Sequence, residues 1–387
     1  MSGGTRSYEM ARRLVEWGHE VHIVTSWREG KPSPNWFQTN EDGINVHWLP
    51  VSYSNSMNFW QRLWAFFKFA IGVIPRAIKI GGDVVFATST PLTIALPGAA
   101  VSYLLKVPMV FEVRDLWPDV PIAMGFLRNP IAIAAARWLE RFAYRQSTWV
   151  VALSDGMADG VVATGYPSDR VSVIPNGSDL ELFAHNSDAG RRFRREHPEL
   201  GNGPIILYPG TLGKVNRVSY LVHLARGVIA HRPDIKFVVI GSGAETEQTK
   251  VIADELGVLG KNYFQYLPVA KRELVDAFSA ASVIISLCVD EPALRANSAN
   301  KFFDGLASGT AVAINYLGWQ AELLQESGAG VVLPSDPGRA TKIFLDFVSS
   351  PEAMAASGKN ARILAKNYFA RDILARRLET VLRDAIR

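Results

Sequence analysis

Short runs of β-branched and apolar residues alternate with amphipathic stretches along almost the whole chain. The pattern predicts strands at Val21–Thr25, Val84–Thr88, Met109–Val113, Trp149–Leu153, Val171–Ile174, Ile205–Tyr208, Phe237–Ile240, Val283–Leu287, Val312–Ile314 and Val331–Leu333. Helices are predicted at Tyr8–Glu16, Ile131–Arg145, Tyr220–His231, Lys271–Ala280 and Lys301–Ala307. Strands alternating with helices build parallel sheets covered on both faces, an α/β architecture. Ten strands exceed one ordinary doubly wound sheet, so two Rossmann-like units are expected. The turn residues Pro175–Asp179 mark the join. The units expected are 1–172 and 173–365, with a last helix, 366–387, packing back on the first.

The beginning breaks this pattern. Gly3-Gly4 leads directly into an amphipathic helix closed by Gly18, and only Met1-Ser2 stands before the glycines. In a doubly wound unit a glycine loop opening a helix follows a buried strand. Either the sequence starts late or the first unit lacks one strand, and the fold expected is therefore one with its first strand missing. A strand and its loop would add ~10–15 residues.

A second departure is the stretch 43–82, which contains no Asp or Glu. Within it Phe59–Ile80 carries Trp60, Trp64 and Phe67 among its aromatics, with Arg62, Lys68, Arg76 and Lys79. At helical spacing the four cations fall on one arc of about 120°, leaving a broad apolar face. Pro75 is expected to kink or end the helix. A core helix with a solvated edge is one reading. The favoured one is a helix lying in a membrane interface, where aromatics and cations coincide without acids.

Composition narrows the class. The 387 residues include one Cys, which excludes an internal disulfide framework and fits a reducing compartment. No apolar run approaches the ~20 residues of a membrane span. A net charge of +4 gives no clustered basic patch, so nucleic acid is not expected as a partner. A soluble, intracellular protein of two domains is the expectation.

The most informative segment is Ser298–Val312, in which a polar loop enters a helix at Asn300 and Lys301 and Gly309 ends it. Free N–H groups at that start, with the Lys301 charge, suit a phosphate, and Asp304 lies one turn on. A charge-decorated helix start fits the same residues. This segment resembles the nucleotide-sugar site of retaining glycosyltransferases of family 4, which have the GT-B fold. It is similar in particular to the bacterial N-acetyl-L-fucosamine-type transferase branch. Other motifs agree in chain order: Gly3–Arg6, Phe111–Pro118, Ile174–Phe183, Gly210–Gly213, Gly241–Gly243 and Ser327–Val331.

The resemblance implies transfer of a sugar from a nucleoside diphosphate, UDP favoured, with retention and without metal or other cofactor. It implies a polyprenyl-linked glycan as acceptor, in surface-polysaccharide synthesis on the inner face of the cytoplasmic membrane. Carried over residue by residue, it assigns catalysis to Arg114, Asp115 and Lys301. It assigns donor binding to Gly3, Gly4, Gly210, Lys214, Arg217, Gly241, Gly243, Pro268, Ser298, Asn300, Lys301 and Asp304. Asp304 takes the place of the second glutamate of the family's paired-glutamate pattern, and Ala296 stands where the first would be. The family's phosphate-binding Arg and Lys fall on Thr211 and Asn216, with Lys214 and Arg217 beside them. A catalytically impaired scaffold of the same fold is the alternative, and a sugar-nucleotide epimerase a weaker one.

Overall fold

The computed structural model describes residues 6–27, 36–51, 59–89 and 91–387, with the backbone alone at positions 59, 60, 62 and 63. Gly3, Gly4 and the side chains of Trp60 and Arg62 thus lie outside the described residues. The chain forms two compact units, Gly3–Pro175 with Leu374–Arg387, and Asn176–Ile373. The return to the first unit falls at Leu374, later than the pattern suggests. The reason is local: Ser178 donates to the Phe369 carbonyl (3.0 Å) and accepts from the Arg371 N–H (3.2 Å), tying that segment to the second unit.

The first unit holds helix α1 (Arg6–Glu16), strands β1 (His22–Trp27), β2 (Phe37–Glu41) and β3 (Ile44–Pro50), and helix α2 (Phe59–Ile80). Then follow β4 (Val85–Thr88), α3 (Ala95–Leu105), β5 (Met109–Val113), α4 (Asp119–Ala123), α5 (Pro130–Arg145), β6 (Trp149–Ala152) and β7 (Val171–Val173). Its strands make two sheets, in the orders β1-β3-β2 and β4-β5-β6-β7. All neighbours are parallel except β2 and β3, a hairpin. Asp42 and Gly43 turn that hairpin with φ of 52° and 83°, the left-handed pair that an Asp-Gly dipeptide favours. The dipeptide was a readable signal, and neither β2 nor β3 was among the predicted strands. Between β1 and β4, where the expected first strand would lie, the described residues contribute none.

Helix α2 runs unbroken through Pro75, against expectation. Proline strips a hydrogen bond from the carbonyl four residues back, here that of the solvent-facing Ile71, where water can take the donor's place.

The second unit is a single parallel sheet of six strands: β8 (Ile205–Pro209), β9 (Lys236–Ile240), β10 (Tyr263–Tyr266), β11 (Val283–Ser286), β12 (Ala311–Ile314) and β13 (Gly330–Val332). Their order is β10-β9-β8-β11-β12-β13. Strands β8, β11 and β12 are buried along their whole length, which is why they read as continuous apolar runs. The order reverses between β8 and β11, so the switch-point crevice lies beyond the carboxyl ends of those strands.

Candidate active site

Two glycine loops approach each other at the carboxyl end of the second sheet. Gly210 donates to the Ile240 carbonyl (3.0 Å) and Leu212 to that of Ser242 (3.1 Å). A Cβ on Gly241 would lie 1.8 Å from the Gly210 carbonyl oxygen, and one on Gly243 2.2 Å from that of Leu212. Only glycine fits at such approach. The sequence reading gave these glycines to the nucleotide; their immediate partner is the neighbouring loop.

The helix Asn300–Ser308 starts beside them. Its N-cap is Ala299, which supplies no side-chain acceptor for the free N–H groups of the first turn. Asn300 is exposed and Lys301 turns inward. The Lys301 Nζ donates to Asn216 Oδ1 (2.9 Å) and the Tyr208 hydroxyl (3.2 Å), and sits 4.8 Å from the Tyr208 ring centre. Burial pushes its ammonium pKa down to about 8, only partly opposed by the neighbouring Cys288 thiol. Among the described residues no carboxylate pairs with it. The arrangement holds a cation at the positive end of a helix, in surroundings that offer it only neutral acceptors. Asn216, placed by the resemblance where a cation was due, instead accepts from Lys301.

Two residues assigned to the donor have other partners. Ser298 is buried, accepting from the Asn176 N–H through its hydroxyl (3.1 Å) and from the Asn176 amide through its carbonyl (2.6 Å). It therefore anchors the segment that opens the unit. Asp304 is also turned into the unit: Ser178 donates to it (2.6 Å) and Lys271 lies 3.8 Å away. Burial raises its pKa, opposed by Lys271, Arg371 and the Ser178 hydrogen bond. Pro268 is exposed just after β10, a strand missing from the pattern because Tyr263–Tyr266 reads as loop. Lys214 and Arg217 are exposed, and Arg217 adopts a left-handed φ of 44°. Sequence reasoning missed Tyr208, Ser178 and Lys271, whose roles come from approaches distant in sequence.

In the first unit Arg114 and Asp115 follow β5 directly, at the carboxyl edge of its sheet. The Arg114 N–H donates to Ser89 Oγ (2.9 Å), and the Asp115 carbonyl accepts from Trp117 (3.0 Å). Both side chains are half-buried. Beneath them Glu112 is buried against Arg6 Nε (2.7 Å) and the Thr88 hydroxyl (2.7 Å). Arg6 also donates to the carbonyls of Pro175 (2.6 Å) and Ile174 (2.8 Å). This buried cluster, unforeseen from sequence, fixes the start of α1 and the ends of β5 and β7 together.

On α2, Trp64, Phe67, Lys68 and Lys79 are exposed. Arg76 is not part of that surface: it donates to His47 Nδ1 (3.1 Å) and lies 5.7 Å over Trp36. Because Arg76 cannot accept, His47 must donate from Nε2 to His22 (3.0 Å), which in turn donates to Glu20 (2.9 Å). Burial, with the Arg76 charge, lowers the His47 pKa to about 4. Among the described residues no helix is long and apolar enough to cross a membrane.

Residues 3–177 match the family model described as Glycosyl transferase 4-like domain, and residues 190–364 match Glycosyl transferases group 1. The putative colanic acid biosynthesis glycosyl transferase WcaI of Escherichia coli K12 is 24% identical over 413 residues, covering 99% of this chain and 95% of that one. Alpha-maltose-1-phosphate synthase of Mycolicibacterium smegmatis is 28% identical over 258 residues, which cover 62% of each chain, under two thirds of that relative's length. Anabaena HepE, solved with UDP and glucose, superposes with a TM-score of 0.71 at 15% identity, over 94% of this chain and all of that one. That likeness shows the fold, and the two adjoining family matches, which leave little of the chain uncovered, show the class. The chain belongs to the family 4 glycosyltransferases and has their GT-B fold.

Proposed function

We propose that the protein moves a sugar from a nucleoside diphosphate, UDP favoured, to a lipid-linked glycan acceptor in surface-polysaccharide synthesis, with retention and without a metal. One observation carries the donor half: Lys301 is a half-buried cation at an uncapped helix start, and among the described residues no carboxylate pairs with it. A buried charge lacking its counter-ion is costly, and a diphosphate would supply one. The same groups would stabilise the departing diphosphate as its charge grows during transfer. Arg114 and Asp115 are assigned to the sugar or acceptor, and Lys214 and Arg217, exposed on either side of Asn216, the acceptor of the Lys301 ammonium, to the outer phosphate. HepE, with UDP and glucose in its structure, and WcaI, named for colanic acid, support donor and setting respectively. Neither singles out the N-acetyl-L-fucosamine-type branch.

The acceptor half rests on the surface of the first unit. Besides Trp64 and Phe67, helix α3 exposes Tyr103 and Leu104, and α5 exposes Ile131 and Trp138. Helix α3 touches both α2 and α5. Lys68 and Lys79 on α2 and Lys106 at the end of α3 are exposed as well. Such a mixture suits an anionic lipid surface, where a lipid-linked acceptor would reside.

The test is turnover on a panel of UDP-sugars, read as UDP release. Lys301→Met, of similar length but uncharged, should keep the fold and lose roughly a hundredfold in kcat, the cost of about 3 kcal/mol of transition-state stabilisation. A wild-type protein that binds UDP yet never releases it from any sugar would favour the scaffold reading. Ala296 and the engaged Asp304 carboxylate are the observations behind that reading.

A further inference from the structure

The two side chains that hold Lys301 are both neutral, and each is itself held. The Tyr208 hydroxyl accepts from the Lys301 ammonium (3.2 Å) and donates to the Thr211 carbonyl (2.9 Å). One oxygen thus joins the lysine to the Gly210–Gly213 loop, and the fully buried Tyr208 ring fixes where that oxygen stands. Asn216 accepts from the same ammonium through Oδ1 (2.9 Å). Its turn is closed by the Gly213 carbonyl, which accepts from the N–H groups of Asn216 (2.9 Å) and Arg217 (3.1 Å). The Val215 carbonyl accepts from Val289 (2.8 Å), which ties the turn to the loop after β11.

The absence of charge extends to the groups around this pair. The titratable side chains acting on Tyr208 are Cys288, Tyr316 and Tyr263. Burial raises the pKa of each, that of Cys288 to about 11, and raises that of Tyr208 too, so all four are uncharged at neutral pH. The carboxylate that acts on Cys288, Asp290, has a cation of its own in Arg295 (3.5 Å). A carboxylate at position 208 or 216 would grip the ammonium more strongly and would repel phosphate oxygens. Asn216 stands where the family resemblance places a phosphate-binding cation; here Lys301 supplies the cation and position 216 orients it.

We propose that Tyr208 and Asn216 are positioning residues for donor binding, which fix the Lys301 ammonium by neutral hydrogen bonds and so keep its charge for the diphosphate. This rests on the reading of Lys301 as the counter-charge of the donor. Charged and neutral replacements then have different consequences. A carboxylate beside the ammonium stabilises its charged form and competes with the phosphate, whereas loss of a hydroxyl acceptor destabilises the charged form and adds no competitor.

Calorimetric titration of the full chain with UDP from pH 7 to 10 tests this on Asn216→Asp, Asn216→Ala, Tyr208→Phe and Lys301→Met, with thermal melts to confirm that each is folded. At pH 7 Asn216→Asp should bind UDP about tenfold more weakly than Asn216→Ala, the effect of one opposing charge in the site. The pH above which affinity falls, near 8 in the wild type, should rise in Asn216→Asp and drop by about half a unit in Tyr208→Phe. A purely structural role would lower the melting temperature and leave that pH where it is. Equal affinity in the Asp and Ala forms would overturn the proposal, as would an unshifted pH profile in either Asn216→Asp or Tyr208→Phe. Lys301→Met tells the two failures apart. If it loses UDP while those results are found, the role of its holders falls alone; if it binds UDP like the wild type, the donor reading falls and the proposal with it.

Discussion

Among the described residues no carboxylate neutralises the Lys301 charge, and this shapes what the second unit can bind. Tyr208 and Asn216 orient the ammonium without offsetting it. Chemistry at this residue was legible in the sequence, because a lysine in the first turn of a helix after a polar loop is a recurrent anion site. The identity of its holders was not, since Tyr208, near the end of β8, and Asn216, in the loop after it, stand about ninety positions earlier in a separate βα unit. The loop glycines tell a similar story. Their presence was readable, but not that Gly241 and Gly243 must clear the backbone of Gly210 and Leu212. Gly241→Ala should therefore destabilise the protein by about 1–3 kcal/mol through overpacking and weaken UDP binding by displacing the Gly210 loop. Thermal melts and calorimetric titration would check this, and an unshifted melt would show that the loop yields freely.

Among elements, α2 shows how far a pattern can carry. Its charge-poor aromatic stretch was visible as such, and its length survived Pro75 because the lost hydrogen bond faces solvent. The direction of each cation was not visible, because period alone cannot show that Arg76 is drawn inward by His47. Nor could periodicity show that α2 packs on α3 and α3 on α5. Membrane binding is thus predicted to depend on Lys68, Lys79 and Lys106 rather than on Arg76. Reversing those three to Glu should remove more than the ~1 kcal/mol per cation that an anionic leaflet contributes. The variant should stop floating with phosphatidylglycerol vesicles and still bind UDP. Continued flotation would refute the lipid surface.

At the scale of the whole molecule, all ten predicted strands recur with ends shifted by at most two residues, and β5, β8, β11 and β12, buried at every position, read as continuous apolar runs. The three that went unseen are short, turn-bounded or half-exposed. Among the described residues the strands of the first unit lie in two sheets, β1-β3-β2 and β4-β5-β6-β7. The groups proposed to bind the donor, Gly210, Gly241, Gly243 and Lys301, all belong to the second unit, Asn176–Ile373.

The central claim is that the Lys301 ammonium is the counter-charge of the donor diphosphate, and the pH dependence of UDP affinity tests it directly. With its pKa lowered to about 8, Lys301 in the free protein sheds its proton as pH rises above that value. The diphosphate complex favours the charged form, so binding takes up a proton in that range and weakens as pH increases. Calorimetry from pH 7 to 10 should show UDP affinity level at first and then falling, by up to tenfold per pH unit above about 8, with Lys301→Met weak and flat throughout. An affinity in the wild type that stays level to pH 10, or a Lys301→Met protein that binds as tightly, would contradict the account.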